Sequence, residues 1–200
     1  MYKRQELHSN VIFGGDGYSS EWHTAAVEER GLRNIPTTAD ALPAFLDESV
    51  IGLFERTGVL SPAELESRYE VYSEQYILSI GVEAKTTAEL AKTVLYPASM
   101  AYVSDLVSSI SGAASIGVEF ETGPVKTIAA EANSLMAAVS KLESALGFDE
   151  FATIEDHMQY CAGTLRGLMD GVRQHADALE SEVADEYWPL PKYREMLFIK

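Results

Sequence analysis

Four histidines, one cysteine and a few acidic clusters hold most of the chemical capacity of this 200-residue sequence. A carboxylate-bridged metal bundle needs Glu-x-x-His pairs facing inward from two helices. Here Glu155 precedes His157 by two and Glu21 precedes His23 by two, which turns each pair to different sides of a helix. His8 has no such partner. His175 falls on an apolar helical seam, where a hydrogen-bonded core histidine is the expected state. Cys161 lies on the same seam and reads as a small buried hydrophobe, because a nucleophilic thiolate needs an electropositive, partly open site. The cluster Gly14-Gly15-Asp16-Gly17 invites a phosphate-loop reading. It lacks the Gly-Lys-Ser/Thr ending, and Ser20 stands where a third glycine belongs, so a structural turn is expected. Glu28-Glu29, Glu64/Glu66/Glu70 and Glu180/Glu182/Asp185/Glu186 could gather a divalent cation but read as solvated helix faces. Tyr69, Tyr72 and Tyr76, spaced by 3 and 4, share a helix face that packs on core or on an interface. These residues assemble no active site by themselves: no catalytic, cofactor-binding or metal-ligating residue is assigned.

Composition narrows the classes further. Acidic residues outnumber basic ones 31 to 15, for a formal charge of −16. That balance disfavours nucleic acid, which needs clustered Lys and Arg, and disfavours an anionic membrane surface. A single cysteine excludes an intrachain disulfide framework or a Cys-rich zinc site and points to a reducing compartment. No apolar run reaches the length of a membrane span, and the polar start lacks a signal-peptide core, so a cytoplasmic location is expected.

The elements that would position these residues are helical. Ser19 or Ser20 opens a short helix that Gly31 stops, and Thr38 opens another, limited by Pro43. A third begins near Asp47 and ends at Gly58. Ser61-Pro62-Ala63-Glu64 is a capping box with proline at the first helical position. It starts a helix expected to run to about Ile80, with Gly81 just past it. Thr86 and Glu89 suggest a second capping box and a new helix to about Ser111, kinked or locally opened by Pro97. Gly112 to Gly123 reads as a loop. Then Val125, Ile128, Ala132, Leu135, Val139, Leu142 and Leu146 recur at spacings of 3 and 4. Phe151, Ile154, Met158, Cys161, Leu165, Leu168, Val172, His175 and Leu179 continue the pattern, a heptad-like seam. The tight turn at Gly147-Phe148-Asp149 makes these two helices antiparallel neighbours. Strand signals are confined to Val11–Phe13 and Ile116–Phe120. The tail from Tyr193 to Ile199 is expected to pack back on the bundle. The fold class is therefore all-α, an antiparallel helical bundle with little or no strand.

Several segments resemble type III glutamine synthetases. They are His8-Ser-Asn-Val-Ile-Phe-Gly-Gly-Asp-Gly-Tyr-Ser-Ser-Glu-Trp22, Thr37-Thr-Ala-Asp-Ala-Leu-Pro-Ala44, Leu53-Phe-Glu-Arg-Thr-Gly-Val-Leu-Ser61, Glu64-Leu-Glu-Ser-Arg-Tyr-Glu70 and Glu186-Tyr-Trp-Pro-Leu-Pro-Lys-Tyr193. The likeness is close over residues 8–80 and loose over 110–180.

The resemblance implies a parent enzyme that joins ammonia to glutamate with ATP, through a γ-glutamyl phosphate, with Mg or Mn at its site. The family's metal-binding glutamates, ammonia-site loop and phosphate-gripping arginines match no position here. The resemblance thus implies an excised C-terminal region beginning at an artificial Met1, with no cofactor of its own. Residues 1–83 would be the end of the catalytic region and 84–200 a C-terminal bundle. Its partners would be its own catalytic core and the other subunits of a homo-oligomer. Tyr69, Tyr72, Tyr76, Trp188 and Phe198 are the candidate interface residues. The competing expectation is a free-standing helical module that binds a partner helix in a groove; a metal-binding bundle is a third.

Overall fold

The computed structural model describes residues 2–9, 12 and 14–197. No strand occurs among the described residues, and the all-α class expected from the sequence holds. Residues 116–120 are turn and coil, while Val11 and Phe13 lie outside the described residues. Short helices come first: α1 (Tyr2–Leu7), α2 (Ser20–Thr24) continuing into a π-helical turn at Ala25–Glu29, and α3 (Thr38–Ala41) continuing into a 3₁₀ turn at Leu42–Leu46. The α3 cap sits one residue earlier than expected. Thr37, not Thr38, has the extended backbone that lets a hydroxyl accept from the amide of Asp40. Helix α4 (Glu48–Thr57) ends where Gly58 turns left-handed at φ 68°, which frees the amide of Val59 to reach the carbonyl of Phe54 at 3.1 Å.

Helix α5 (Pro62–Leu90) starts at the capping box, with Ser61 and Glu64 satisfying each other's amides. Contrary to expectation, it does not stop at Ile80, and Thr86 caps nothing. The helix runs straight through Gly81, because Ile80, Ala84 and Ala88 are buried on one side and outweigh the roughly 1 kcal/mol that a mid-helix glycine costs. The expected boundary at residue 83 thus falls inside a continuous rod. At Ala91–Leu95 the helix widens into a π turn, in which the amide of Tyr96 bonds the carbonyl of Ala91, before α6 (Tyr96–Ala114). This is the local opening foreseen at Pro97: proline donates no hydrogen bond and its ring needs room at the carbonyl four residues back.

The remaining helices are α7 (Gly123–Leu146), α8 (Ile154–Tyr160), a π turn at Cys161–Leu165, α9 (Arg166–Glu182) and α10 (Tyr193–Met196). Phe151 precedes α8 rather than joining it, because Thr153 is the cap, accepting from the amide of Asp156. Ala145 meets Tyr160 and Glu131 meets His175, so α7 and the α8–α9 rod run antiparallel. The main core joins Ala84, Ala88 and Ala91 of the α5 rod, Leu135, Val139 and Leu142 of α7, and Leu165, Val172 and Leu179 opposite. The alanines allow close approach of the α5 backbone to the seam. A second cluster of Ala39, Leu42, Tyr69 and Met158 ties α3 to α5 and α8. Trp188 packs into the core, but the described tail side chains beyond it do not pack back as expected: Glu195, Met196 and Leu197 are exposed.

Leu165 is 4 % exposed within the seam. Leu165→Ala is expected to cost about 2–5 kcal/mol in denaturant unfolding, through lost burial and the cavity left behind. A loss within roughly 0.5 kcal/mol is the value of an exposed site and contradicts the register.

Candidate functional site

Two polar contacts join elements far apart in sequence where α3, α5 and α8 meet. The capping box sets the phase of α5 so that Leu65, Tyr69 and Ser73 face inward. Thr153 sets the phase of α8 so that Glu155 stands in its first turn. The Tyr69 hydroxyl then donates to the Glu155 carboxylate across 86 residues of sequence. Gln159 Nε2 donates to Asp40 Oδ1 at 2.7 Å, 119 residues away. Burial, and then the anionic partner, push the Tyr69 hydroxyl up from 10.0 to about 12. The same hydrogen bond holds the Glu155 carboxyl below its ordinary value. Asp40 is likewise lowered, first by the Thr37 hydroxyl and then by Gln159. Nothing in the sequence signals the Tyr69–Glu155 or Asp40–Gln159 pairs, because each depends on how distant helices meet.

The residues singled out for chemistry disperse. His8 and His23 are exposed. His157 stacks flat on Phe151, ring centroids 4.0 Å apart, and burial lowers its basicity. Cys161 is buried in the π turn, where burial raises its thiol, the opposite of nucleophile activation. His175 Nδ1 lies 2.9 Å from Glu131 Oε2, clipping α9 to α7. Glu64 serves the cap of α5, and Glu66 and Glu70 point to solvent. Among the described residues, no three or more His, Cys, Asp or Glu side chains gather as a metal would require. The turn predicted at the glycine cluster falls at Asp16–Ser19, where the amide of Ser19 donates to the carbonyl of Asp16 at 3.2 Å and that of Tyr18 to Asp16 Oδ1 at 2.9 Å. A shallow groove of about 600 Å³ lies between the α5 rod and the end of α7, lined by Lys85, Glu89, Lys92 and Glu143 among others. Its Lys92 and Glu143 are ion-paired at 3.0 Å.

The candidate interface residues do not share one surface. Tyr69 is 4 % and Trp188 7 % exposed, each inside a core cluster of this chain. Tyr76 is half-buried against both clusters. Tyr72 remains 39 % exposed, its ring 6.3 Å from that of Phe45. Phe198 lies outside the described residues.

Tyr69→Phe is expected to lower stability by about 1 kcal/mol at neutral pH, the worth of one partly shielded hydrogen bond. The pH dependence has a definite sign. Between pH 10.0 and about 12 the unfolded tyrosine releases its proton while the folded one keeps it, so stability falls as pH rises through that window. Urea midpoints measured against pH should show this alkaline fall shallower in Tyr69→Phe; equal slopes in the two proteins contradict the assignment.

A family model described as the glutamine synthetase C-terminal domain matches residues 2–114, up to the end of α6. The chain is 32 % identical over 202 residues to a type-3 glutamine synthetase of Dictyostelium discoideum, covering 96 % of this chain and 27 % of that protein. It is 32 % identical over 196 residues to a glutamine synthetase of Butyrivibrio fibrisolvens, covering 96 % of this chain and 28 % of that protein. To a glutamine synthetase of Bacteroides fragilis it is 30 % identical over 212 residues, again 28 % of that protein. The chain therefore spans 27–28 % of the length of the curated relatives it matches. With more than half of its residues inside that family's pattern, from the first short helix to the end of α6, this chain belongs to the glutamine synthetase C-terminal domain family.

Proposed function

We propose that the chain serves as the helical C-terminal region of an ATP-dependent glutamine synthetase, one that joins ammonia to glutamate, and that its role there is structural. The family pattern over residues 2–114 is the observation that carries this reading. Its partners are its own catalytic core and neighbouring subunits of a homo-oligomer, in the cytoplasm. No described helix is long and apolar enough to cross a membrane.

ATP and Mg or Mn belong to the catalytic core in this reading. The donor set of the described residues does not fit them: their carboxylates and histidines are dispersed over separate elements, and three never gather. No catalytic step is assigned to any residue of this chain. What its residues contribute is shape. The seam of α7 with α8–α9 makes a stiff body, and the Tyr69–Glu155 and Asp40–Gln159 bonds hold α3 and α5 in one register with it. A body fixed in this way can orient subunits in a ring without touching substrate.

Removal of residues 84–200 from the enzyme that carries them should shift it from ring assemblies to smaller species in analytical ultracentrifugation. Tyr72→Asp leaves the α5 backbone intact and should weaken assembly in the same direction. Unchanged assembly in both variants removes the oligomer-shaping role. The 200-residue chain alone should release no phosphate from ATP in the presence of glutamate and ammonia; turnover there overturns the reading.

A further inference from the structure

The exposed large apolar side chains are distributed unevenly. Among the described residues from 121 to 189, which include all of α7, α8 and α9, Phe148 is the one so exposed. Before residue 83 they are frequent, and on α5 they are ordered. Val71, Leu78 and Val82 are 55 %, 67 % and 62 % exposed. At about 3.6 residues per turn these three lie within roughly 40° of one another. They point away from the opposite face, where Tyr69, Ile80 and Ala84 are buried. Between residues 71 and 82, helix α5 therefore carries apolar side chains on two opposite sides, of which the fold of this chain covers one. A helix apolar on both sides belongs between two packed bodies, whereas one with a single apolar stripe belongs on a surface. By the same rule α7 and α9 are surface helices.

We infer that the Val71–Leu78–Val82 face of α5 seats on the catalytic part of its own polypeptide, with the α7–α9 face turned to solvent. The inference rests on the synthetase reading above. That reading supplies the occupant: the relatives carry this region as only 27–28 % of their length, so most of such an enzyme lies outside it and is the nearest body able to cover this face. The exposed apolar residues Val27, Leu32, Leu53 and Val59 precede α5 on the stretch nearest in sequence to that body. A net charge of −16 opposes nucleic acid or an anionic membrane as the cover.

Thiol labelling tests this directly, because the native Cys161 is 1 % exposed and silent. Leu78→Cys and Gln174→Cys, the latter on the exposed side of α9, are made in the 200-residue chain and in the glutamine synthetase polypeptide that carries it. Val82→Cys is a second probe of the stripe should Leu78→Cys misfold. In the 200-residue chain all positions should react with a maleimide at similar rates. In the enzyme the stripe positions should slow by about tenfold or more, since thiol reactivity follows access, while Gln174→Cys is unchanged. Equal stripe labelling in an active enzyme overturns the inference. So does protection that grows with concentration in the 200-residue chain alone, which identifies a second copy as the cover. A polypeptide that makes no glutamine from glutamate, ammonia and ATP overturns the synthetase reading itself, a result separate from the labelling pattern.

Discussion

The antiparallel seam between α7 and the α8–α9 rod is the contact that the rest of the molecule depends on. Leu135, Val139 and Leu142 on one side and Leu165, Val172 and Leu179 on the other are almost completely removed from water. Each such side chain contributes on the order of 1.5–3 kcal/mol by transfer alone. The third side of this core is closed by small residues of the α5 rod: Ala84, Ala88 and Ala91. Both π turns of this core keep their end residues buried: Ala91 and Leu95 in one, Cys161 and Leu165 in the other. The extra residue in each turn is accommodated without lifting the apolar face off the seam.

Around this apolar body, hydrogen bonds set register more than they add stability. Asp40–Gln159 joins the short helix α3 to α8, Tyr69–Glu155 joins α5 to α8, and His175–Glu131 and Lys92–Glu143 tie α9 and the α5 rod to α7. Apolar contacts tolerate sliding, whereas a directed bond has one good geometry. The lysine and histidine pairs are partly exposed and so are worth little as ion pairs. Their effect is to select one alignment of helices that greasy faces alone leave loosely specified.

This division of labour supports the structural role proposed for the chain. The groups that could do chemistry are engaged in structure: a thiol raised by burial, an imidazole stacked on a phenyl ring, carboxylates used as caps and clips. Exposed apolar side chains recur before residue 83, on α5 and α6, in the 116–120 segment and near the C-terminal end, whereas α7 and α9 carry no large exposed apolar side chain.

Local chemistry made much of this legible in advance. The Ser61–Glu64 box, the stop at Gly58 and the seam from Ile128 to Leu179 were readable because each rests on neighbours within a turn or on helical period. The all-α class was readable for the same reason, whereas the family likeness rested on the resemblance of particular segments. Gly81 and Thr86 misled, because their local preference for a break was outweighed by burial of Ile80, Ala84 and Ala88 against helices that are distant in sequence. The tyrosine spacing showed that Tyr69, Tyr72 and Tyr76 lie close together around α5, but not which of them would be used up inside. Tertiary structure alone decided that Tyr69 and Trp188 turn inward while Val71, Leu78 and Val82 stay out. It also alone brought Tyr69 to Glu155. Periodicity fixes which residues share a face of one helix; what that face meets depends on the packing of all the others.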